Sequence, residues 1–479
     1  MKKKFLILIS FIFPVLFSSC AVGPDYKRPE LNVPGKHRGA LSYIEKKSLA
    51  DLPWWEVFND PNLKLLIDEA LVNNFDLRIA SAKVEEVREL ARIKRADYYP
   101  QLNYSAMDNY GRDVPTYALP GGTHSNAFTG NAQMQWELDV WGRVRRGSES
   151  ARAQYFASIE GKRDISLILI TEVAKSYFEL LELDSELLIA KRTTASFKGT
   201  YDMFTKRYKR GISSLLESSR AGASMAQTAA NIPDIETQIF QKENQINFLL
   251  GRNPGPIPRG PGLTGQYIIP ETPAGIPSAL LQRRPDIRKA EQVLISANAD
   301  IGVAKASFFP QFSLTGLLGL SSPDLRTFSS SWALGGSLMG PIFQGGKISA
   351  NYQASKQAYE QVKLGYEKTV TNAFREVADA LNLQQKLIEE KKQQAIAVKL
   401  LKKATKLSSR RYTKGLSNYF EVLDAQQELL SAEYNLARTE RDRLLAVVQL
   451  FKALGGGWDN LNSSVKQKAP AKQASNTPK

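Results

Sequence analysis

Two patterns of apolar and polar positions run along this chain, and each occurs twice. From Gly142 to Gly211, and again from Gly346 to Gly415, sixty-nine residue steps pass without a proline in sequence dense in Ala, Leu, Glu, Lys, Gln and Arg. Such composition favours helix, and at about 1.5 Å per residue a continuous helix of this length spans roughly 100 Å, far beyond an ordinary core helix. The runs end alike, in Arg207-Tyr208-Lys209-Arg210-Gly211-Ile212-Ser213 and Arg411-Tyr412-Thr413-Lys414-Gly415-Leu416-Ser417. Glycine followed by Ile or Leu and then Ser predicts a helix stop and an immediate new N-cap, so each run turns back as an antiparallel helical hairpin.

The second pattern has period two. Leu102, Tyr104 and Ala106 alternate with polar neighbours, as do Phe128, Ala132, Met134, Trp136 and Leu138. The alternation returns at Phe312, Leu314, Leu318 and Leu320, then at Trp332, Leu334 and Leu338. Each copy predicts a β-hairpin with strands about ten to twelve residues long, a length that suits a bilayer. Four strands cannot close a barrel, and unpaired edge groups in hydrocarbon cost several kcal/mol each, so strands placed in a membrane require oligomerisation. Three copies supply twelve strands. The alternative is a soluble four-stranded sheet.

These are halves of one repeat. Asp76-Leu77-Arg78 ahead of Tyr99-Pro100-Gln101 matches Asp286-Ile287-Arg288 ahead of Phe309-Pro310-Gln311 at an offset of 210, and from Gly142/Gly346 through Gly251/Gly455 the offset is 204. The six-residue change falls between the Pro-Gln landmark and the long helix. The reading is mainly α with a β portion. A first repeat covers 61–251 (β-hairpin about 99–142, helical hairpin about 143–251). A second covers 278–457 (β-hairpin about 309–346, helical hairpin about 347–455). Helix begins after Asp60-Pro61, an N-cap with proline in first position. A stiff linker with seven prolines joins the repeats over 252–277. Residues 20–60 read as an extended segment and 458–479 as a disordered tail.

The net charge of +16 raises nucleic acid and anionic lipid as partners, but Lys and Arg are spread along the helices rather than gathered in a patch. The start of the chain is more informative. Lys2-Lys3-Lys4 precedes an apolar stretch from Phe5 to Phe17, too short to span a bilayer and laid out as an export signal over 1–19. Ser18-Ser19-Cys20 follows, with Cys20 the only cysteine. This resembles a bacterial lipobox, with Phe17 where Leu is usual, and ordinary cleavage leaving a free thiol is the alternative. Ala21 favours the outer membrane. Enzyme chemistry finds few resources: His37 and His124 stand apart, no metal-ligand cluster is present, and Gly345-Gly346-Lys347-Ile348 lacks the spacing and Ser/Thr of a P-loop. The expectation is no enzyme, no metal and no cofactor beyond lipid on Cys20.

The ordered set of motifs resembles the outer membrane factor family, the TolC/NodT-type efflux channels, in its lipoprotein branch. The resemblance is carried by Cys20-Ala-Val-Gly-Pro-Asp25-Tyr26, Asp51-Leu-Pro-Trp54-Trp55, the stretch from Leu281 to Glu291, that from Ala304 to Pro310, and that from Arg411 to Gln426. It implies a homotrimer that closes one twelve-stranded outer membrane β-barrel, continued by a periplasmic α-helical barrel. It implies further a passive duct, served by an inner membrane pump of the resistance-nodulation-division type and a periplasmic adaptor. That adaptor would dock on the tips Gly211-Ile212-Ser213 and Gly415-Leu416-Ser417.

Carried over residue by residue, the family's gate falls on Phe420 and Asp424, four apart and so on one helix face. Three symmetry-related carboxylates at Asp424 would repel one another and attract cations. Tyr412 matches a tyrosine that ties the closed helices together, and Gln427 stands where the branch often has Arg. Arg220 lies 204 before Asp424, which motivates an Arg220–Asp424 attraction. A non-porous, lipid-anchored helical scaffold bridging envelope layers is the alternative function, and it leaves the amphipathic hairpins unexplained.

Overall fold

The computed structural model describes residues 21–39, 48, 60–112, 124–260, 262–263 and 275–456. The export signal, Cys20, Trp54-Trp55 and the tail from 458 lie outside the described residues, as does 264–274 of the linker. The helices and strands are α1 (Pro61–Asn73), α2 (Phe75–Ala96), β1 (Gln101–Arg112), β2 (His124–Leu138), α3 (Arg143–Lys209), α4 (Leu215–Leu249), α5 (Leu280–Arg283), α6 (Pro285–Ala306), β3 (Gln311–Ser322), β4 (Ser329–Met339), α7 (Lys347–Thr413) and α8 (Tyr419–Ala453). A 3₁₀ turn at Pro277–Ala279 leads into α5.

The repeat offsets hold to the residue. α2 and α6 differ by 210 at both ends, as do β1 and β3, while α3/α7 and α4/α8 differ by 204 at both ends. α3 and α7 are each one helix of 67 residues. Gly142, Gly211 and Gly251 have positive φ, and so do their counterparts Gly346, Gly415 and Gly455. Each sits where the chain leaves or enters a helix, a place that a side chain on Cβ would strain. Among the described helices none is long and apolar enough to cross a membrane, a result that bears on helices alone.

The chain divides into two compact units. The first comprises Met1–Leu31, Ala82–Glu160 and Lys289–Lys368 and contains the sheet. Its strands lie in the order β1-β2-β3-β4, every neighbour antiparallel, so the two predicted hairpins are joined into one sheet by β2 and β3. In every pairing even-numbered residues face even-numbered ones. Because opposed residues share a face, one side of the sheet carries Leu102, Tyr104, Met134, Trp136, Leu314, Leu318, Trp332 and Leu334. The other carries Gln101, Asn103, Asn131, Gln133, Gln135 and Thr315, with Met107 and Leu317 among them.

At the helix end of the sheet the Trp141 ring stacks on Phe309 at 4.5 Å and its Nε1 donates to the Pro310 carbonyl at 2.8 Å. The segment after Cys20 lies on this unit. Val22 N–H donates to the Trp141 carbonyl, Asn298 to that of Pro24, and Arg28 grips Glu291 through two hydrogen bonds of 2.6 and 2.5 Å.

The second unit comprises Asn32–Ser81, Gly161–Arg288 and Thr369–Lys479 and holds the main core. Leu63, Leu66 and Ile67 of α1, Tyr177, Phe178 and Leu180 of α3, Ile246 of α4 and Phe451 of α8 are buried together there. Asp60 caps α1 as expected, accepting from Asn62 and Leu63 N–H at 2.8 and 3.2 Å. It also accepts from the buried Tyr177 hydroxyl at 2.9 Å, and that hydroxyl accepts from Gly260 N–H at 2.8 Å.

The proline-rich segment therefore begins as packed structure rather than as a plain linker. Ile257 and Leu263 are in the core, and Arg259 bridges Asp184 and Glu243 at 3.0 and 2.5 Å. Its prolines remove N–H donors, and burying two apolar side chains fixes its path. Asp60→Ala is expected to cost about 2 kcal/mol, since it removes a cap and the acceptor of the buried Tyr177 hydroxyl. Thermal unfolding in detergent, compared with Tyr177→Phe, checks this.

Candidate functional site

The ends of the helical hairpins are built twice by one local rule. Gly211 N–H donates to the Tyr208 carbonyl and Ile212 N–H to that of Arg207, and the same pair of bonds joins Gly415 to Tyr412 and Leu416 to Arg411. This double closure around a glycine of positive φ satisfies the last helix carbonyls. The new caps stand one residue later than expected. Ser214 caps α4 in a reciprocal box with Glu217, and Asn418 caps α8 through Glu421 N–H at 3.3 Å. Ser213 and Ser417, expected as caps, instead bury their hydroxyls with no hydrogen-bond partner among the described residues. The glycine-centred closure consumes one more residue before the extended cap conformation is reached. Ile212, Leu215, Leu216 and Leu416 are left exposed on these turns.

Just inside the turns an aromatic cluster locks the first repeat to the second. Phe197 and Phe204 of α3, Ala221 of α4 and Tyr419, Val422 and Leu423 of α8 are buried together, with Tyr412 against them. The Phe204 ring meets Tyr419 edge-on at 4.4 Å and Tyr412 at 5.6 Å. Arg207 Nη1 donates to the Tyr412 hydroxyl at 3.3 Å, with its guanidinium 5.8 Å from the ring centre. Burial pushes the Tyr419 phenol up to about 12 and raises Tyr412, so both phenols are neutral at any physiological pH. Tyr412 accepts from Arg207, and the buried Tyr419 hydroxyl has no hydrogen-bond partner among the described residues.

α8 presents the expected gate residues on its free side. Phe420, 58% exposed, and Asp424, also exposed, lie on one face, while Val422 and Leu423 turn to the cluster. The expected Arg220–Asp424 ion pair is not made within the chain. Both side chains are exposed, and Arg220 lines a cleft of roughly 500 Å³ with Ile212, Glu217, Tyr419 and Phe420, a lining that does not include Asp424. Gln427 is likewise exposed, and its neighbour Gln426 makes the tie to α3, donating to Ser196 Oγ at 3.3 Å.

Farther along α8, buried carboxylates of α3 and α8 are paired with cations of the facing helices. Glu433 is gripped by Arg192 of α3 and by Lys402 of α7 at 3.1 Å. Arg438 binds Glu186 at 2.9 Å and Arg441 binds Glu182 at 3.2 Å, both carboxylates lying on α3. The i,i+4 spacing of Glu182 and Glu186 and the i,i+3 spacing of Arg438 and Arg441 were visible in sequence, but nothing there said that the faces meet.

Burial pushes Glu182 up to about 7, with Arg441 opposing and the Glu186 charge reinforcing the rise. The folded chain thus holds a proton that the unfolded chain releases near 4.5. The contribution of this group to stability is full below about 4.5, falls as pH rises towards 7 and is lost above it. The melting temperature is expected to be lower at pH ~8 than at pH ~6, with Glu182→Gln narrowing the difference.

No group of three or more metal-ligating side chains occurs among the described residues. Cys20 lies just outside them, but Ala21 is placed against Gly142, at the junction of β2 and α3.

A family model described as outer membrane efflux protein matches residues 66–252 and 276–456, which are the two repeats. The solvent efflux pump outer membrane protein SrpC of Pseudomonas putida is 36% identical over 457 residues, covering 93% of this chain and 97% of that protein. The cation efflux system protein CusC of Escherichia coli O6:H1 is 33% identical over 460 residues, covering 94% and 98%. Among solved structures, the open state of the MtrE outer membrane channel of Neisseria gonorrhoeae superposes with a TM-score of 0.82 at 32% identity, covering 92% of this chain and 99% of that one.

Proposed function

This chain belongs to the outer membrane efflux protein family, and on that premise we propose how it works as the outer membrane channel of an efflux system. Three copies assemble into one passive duct. The observation that carries this reading is the sheet. Its even-numbered face carries most of the large apolar side chains, with Asp108 and Arg112 only towards the hairpin end. Its odd-numbered face is mainly amide and hydroxyl with Met107, Leu317 and Met339 among them, and β1 and β4 are left as open edges that lipid does not tolerate. Twelve strands from three chains remove every edge, with the apolar face to lipid and the amide- and hydroxyl-rich face to the lumen. A non-porous scaffold has no use for that sorting.

The helices of three chains form the periplasmic part, and their hairpin ends face a periplasmic adaptor. The exposed Ile212, Leu215, Leu216 and Leu416 are the apolar surface that such a partner covers, and an inner membrane pump of the resistance-nodulation-division type supplies the energy. Phe420 and Asp424 form the constriction, held by the Phe204–Tyr412–Tyr419 cluster behind them. Acylated Cys20 anchors the chain; the residue after it, Ala21, lies against Gly142 just past the end of β2. No cofactor is used. Relatives similar to this chain over nearly its whole length are named for solvents and for cations, and on this reading the choice of cargo rests with the pump.

The test is the mass of the detergent-extracted protein, corrected for bound detergent, followed by conductance in a planar bilayer. A threefold mass with channel activity is expected. A detergent-free soluble monomer without conductance, even in a gate variant, would remove the reading.

A further inference from the structure

β1 and β4 are the two edges of the sheet, and the internal repeat specifies how one meets the other. We infer that β4 of one chain pairs antiparallel with β1 of a second copy in a single register, with Met339 opposite Ser105, Leu338 opposite Ala106 and Trp332 opposite Arg112. This rests on the channel reading above and adds to it the residue-by-residue seam between copies.

The argument begins with a check inside the chain. Moving β1 forward by 210 and β2 forward by 204 converts the pair Gln101↔Gln135 into Gln311↔Met339, which is the pair observed between β3 and β4. Eleven of the twelve β1–β2 pairs transfer in the same way, all but Arg112↔His124 at the turn, so neither hairpin contains a bulge that the other lacks, and the six-residue difference sits in the hairpin turn. The β2–β3 joint is the one place where the first repeat bonds to the second. Repeating it around a ring means moving β2 forward to β4 and β3 back to β1. Gln135↔Thr315 becomes Met339↔Ser105, and Phe128↔Ser322 becomes Trp332↔Arg112.

The surfaces agree with this pairing. Because 204 and 210 are both even, each face of the sheet continues as itself across the seam. A slip by one residue would put apolar residues in the lumen. The apolar side chains of the two edges meet: Leu334, 77% exposed in the isolated chain, falls opposite Tyr110, 72% exposed. Past Met339 the ladder thins at Gly340-Pro341, since Pro341 has no N–H to give. Ile342, the counterpart of Leu138 and wholly exposed here, then falls opposite Leu102, itself 77% exposed.

Slips by two residues keep the faces sorted, so the experiment must distinguish them. β1 and β4 are opposite edges of one sheet, so a disulfide between them joins two chains. Leu338→Cys with Ala106→Cys is compared with Leu338→Cys plus Tyr104→Cys and Leu338→Cys plus Asp108→Cys in the full-length protein. Single-cysteine controls are included, with mild oxidation and non-reducing gels. Ser337→Cys with Met107→Cys provides a second pair in the inferred register. The inferred pairs are expected to give covalent dimers and trimers at several-fold higher yield than either slipped pair. A maximum at a slipped pair, or no interchain disulfide, in protein whose mass is trimeric overturns the register and leaves the channel reading intact. A monomeric mass overturns both.

Discussion

Asp424→Ala, in the assembled protein, is expected to raise single-channel conductance several-fold, with Phe420→Ala adding to it. Both side chains stand on the one face of α8 that the chain itself leaves uncovered, four residues apart, while Val422 and Leu423 are buried against α3 and α4. A side chain buried in the fold cannot obstruct a passage, and these two are free to do so. Three copies of Asp424 around an axis concentrate negative charge where the passage is narrow. Removing them should widen the passage and lower its preference for cations at the same time. Reversal potentials in a salt gradient therefore check the assignment alongside conductance. Unchanged conductance and unchanged selectivity in the double variant would place the constriction elsewhere. Arg220→Ala combined with Asp424→Ala is expected to open no further if the two attract across copies, and additive effects would exclude that coupling.

Phe204→Ala should loosen the hairpin ends without dissolving the protein. The ring is wholly buried and touches Tyr419 and Tyr412, one on each side of the turn of the second repeat. Truncating such a side chain costs about 3–5 kcal/mol, which is about two to three and a half orders of magnitude in a local opening equilibrium at about 1.4 kcal/mol per factor of ten. The loss falls on the second unit alone, because every residue of the cluster belongs to it. Proteolysis within 205–215 and 410–420 should accelerate by that factor while the oligomer survives detergent extraction. Tyr412→Phe removes only the hydrogen bond from Arg207 and is expected to have a much smaller effect, about 1 kcal/mol. Equal proteolysis in Phe204→Ala and the parent would mean that the ends are held by neighbouring chains instead.

The sequence by itself determined the elements and their repetition. Helix composition without proline, glycines at the turns and period-two alternation are local signals, each set within a few residues. They located both 67-residue helices, the four strands and the offsets of 210 and 204. They also placed Phe420 and Asp424 on one helix face. Tertiary structure decided which faces meet. That Phe197 and Phe204 would cover Tyr419, that Glu182 and Glu186 would be buried under Arg438 and Arg441, and that Ile257 and Leu263 would enter the core depends on contacts between residues far apart in sequence. Periodicity identifies an apolar or charged stripe but not the stripe it packs against. The same reason explains the caps at Ser214 and Asn418 and the absence of an Arg220–Asp424 pair within the chain. The closure at each glycine and the packing of α4 beside α8 are settled by three-dimensional geometry, which equal positions in a repeat do not reveal.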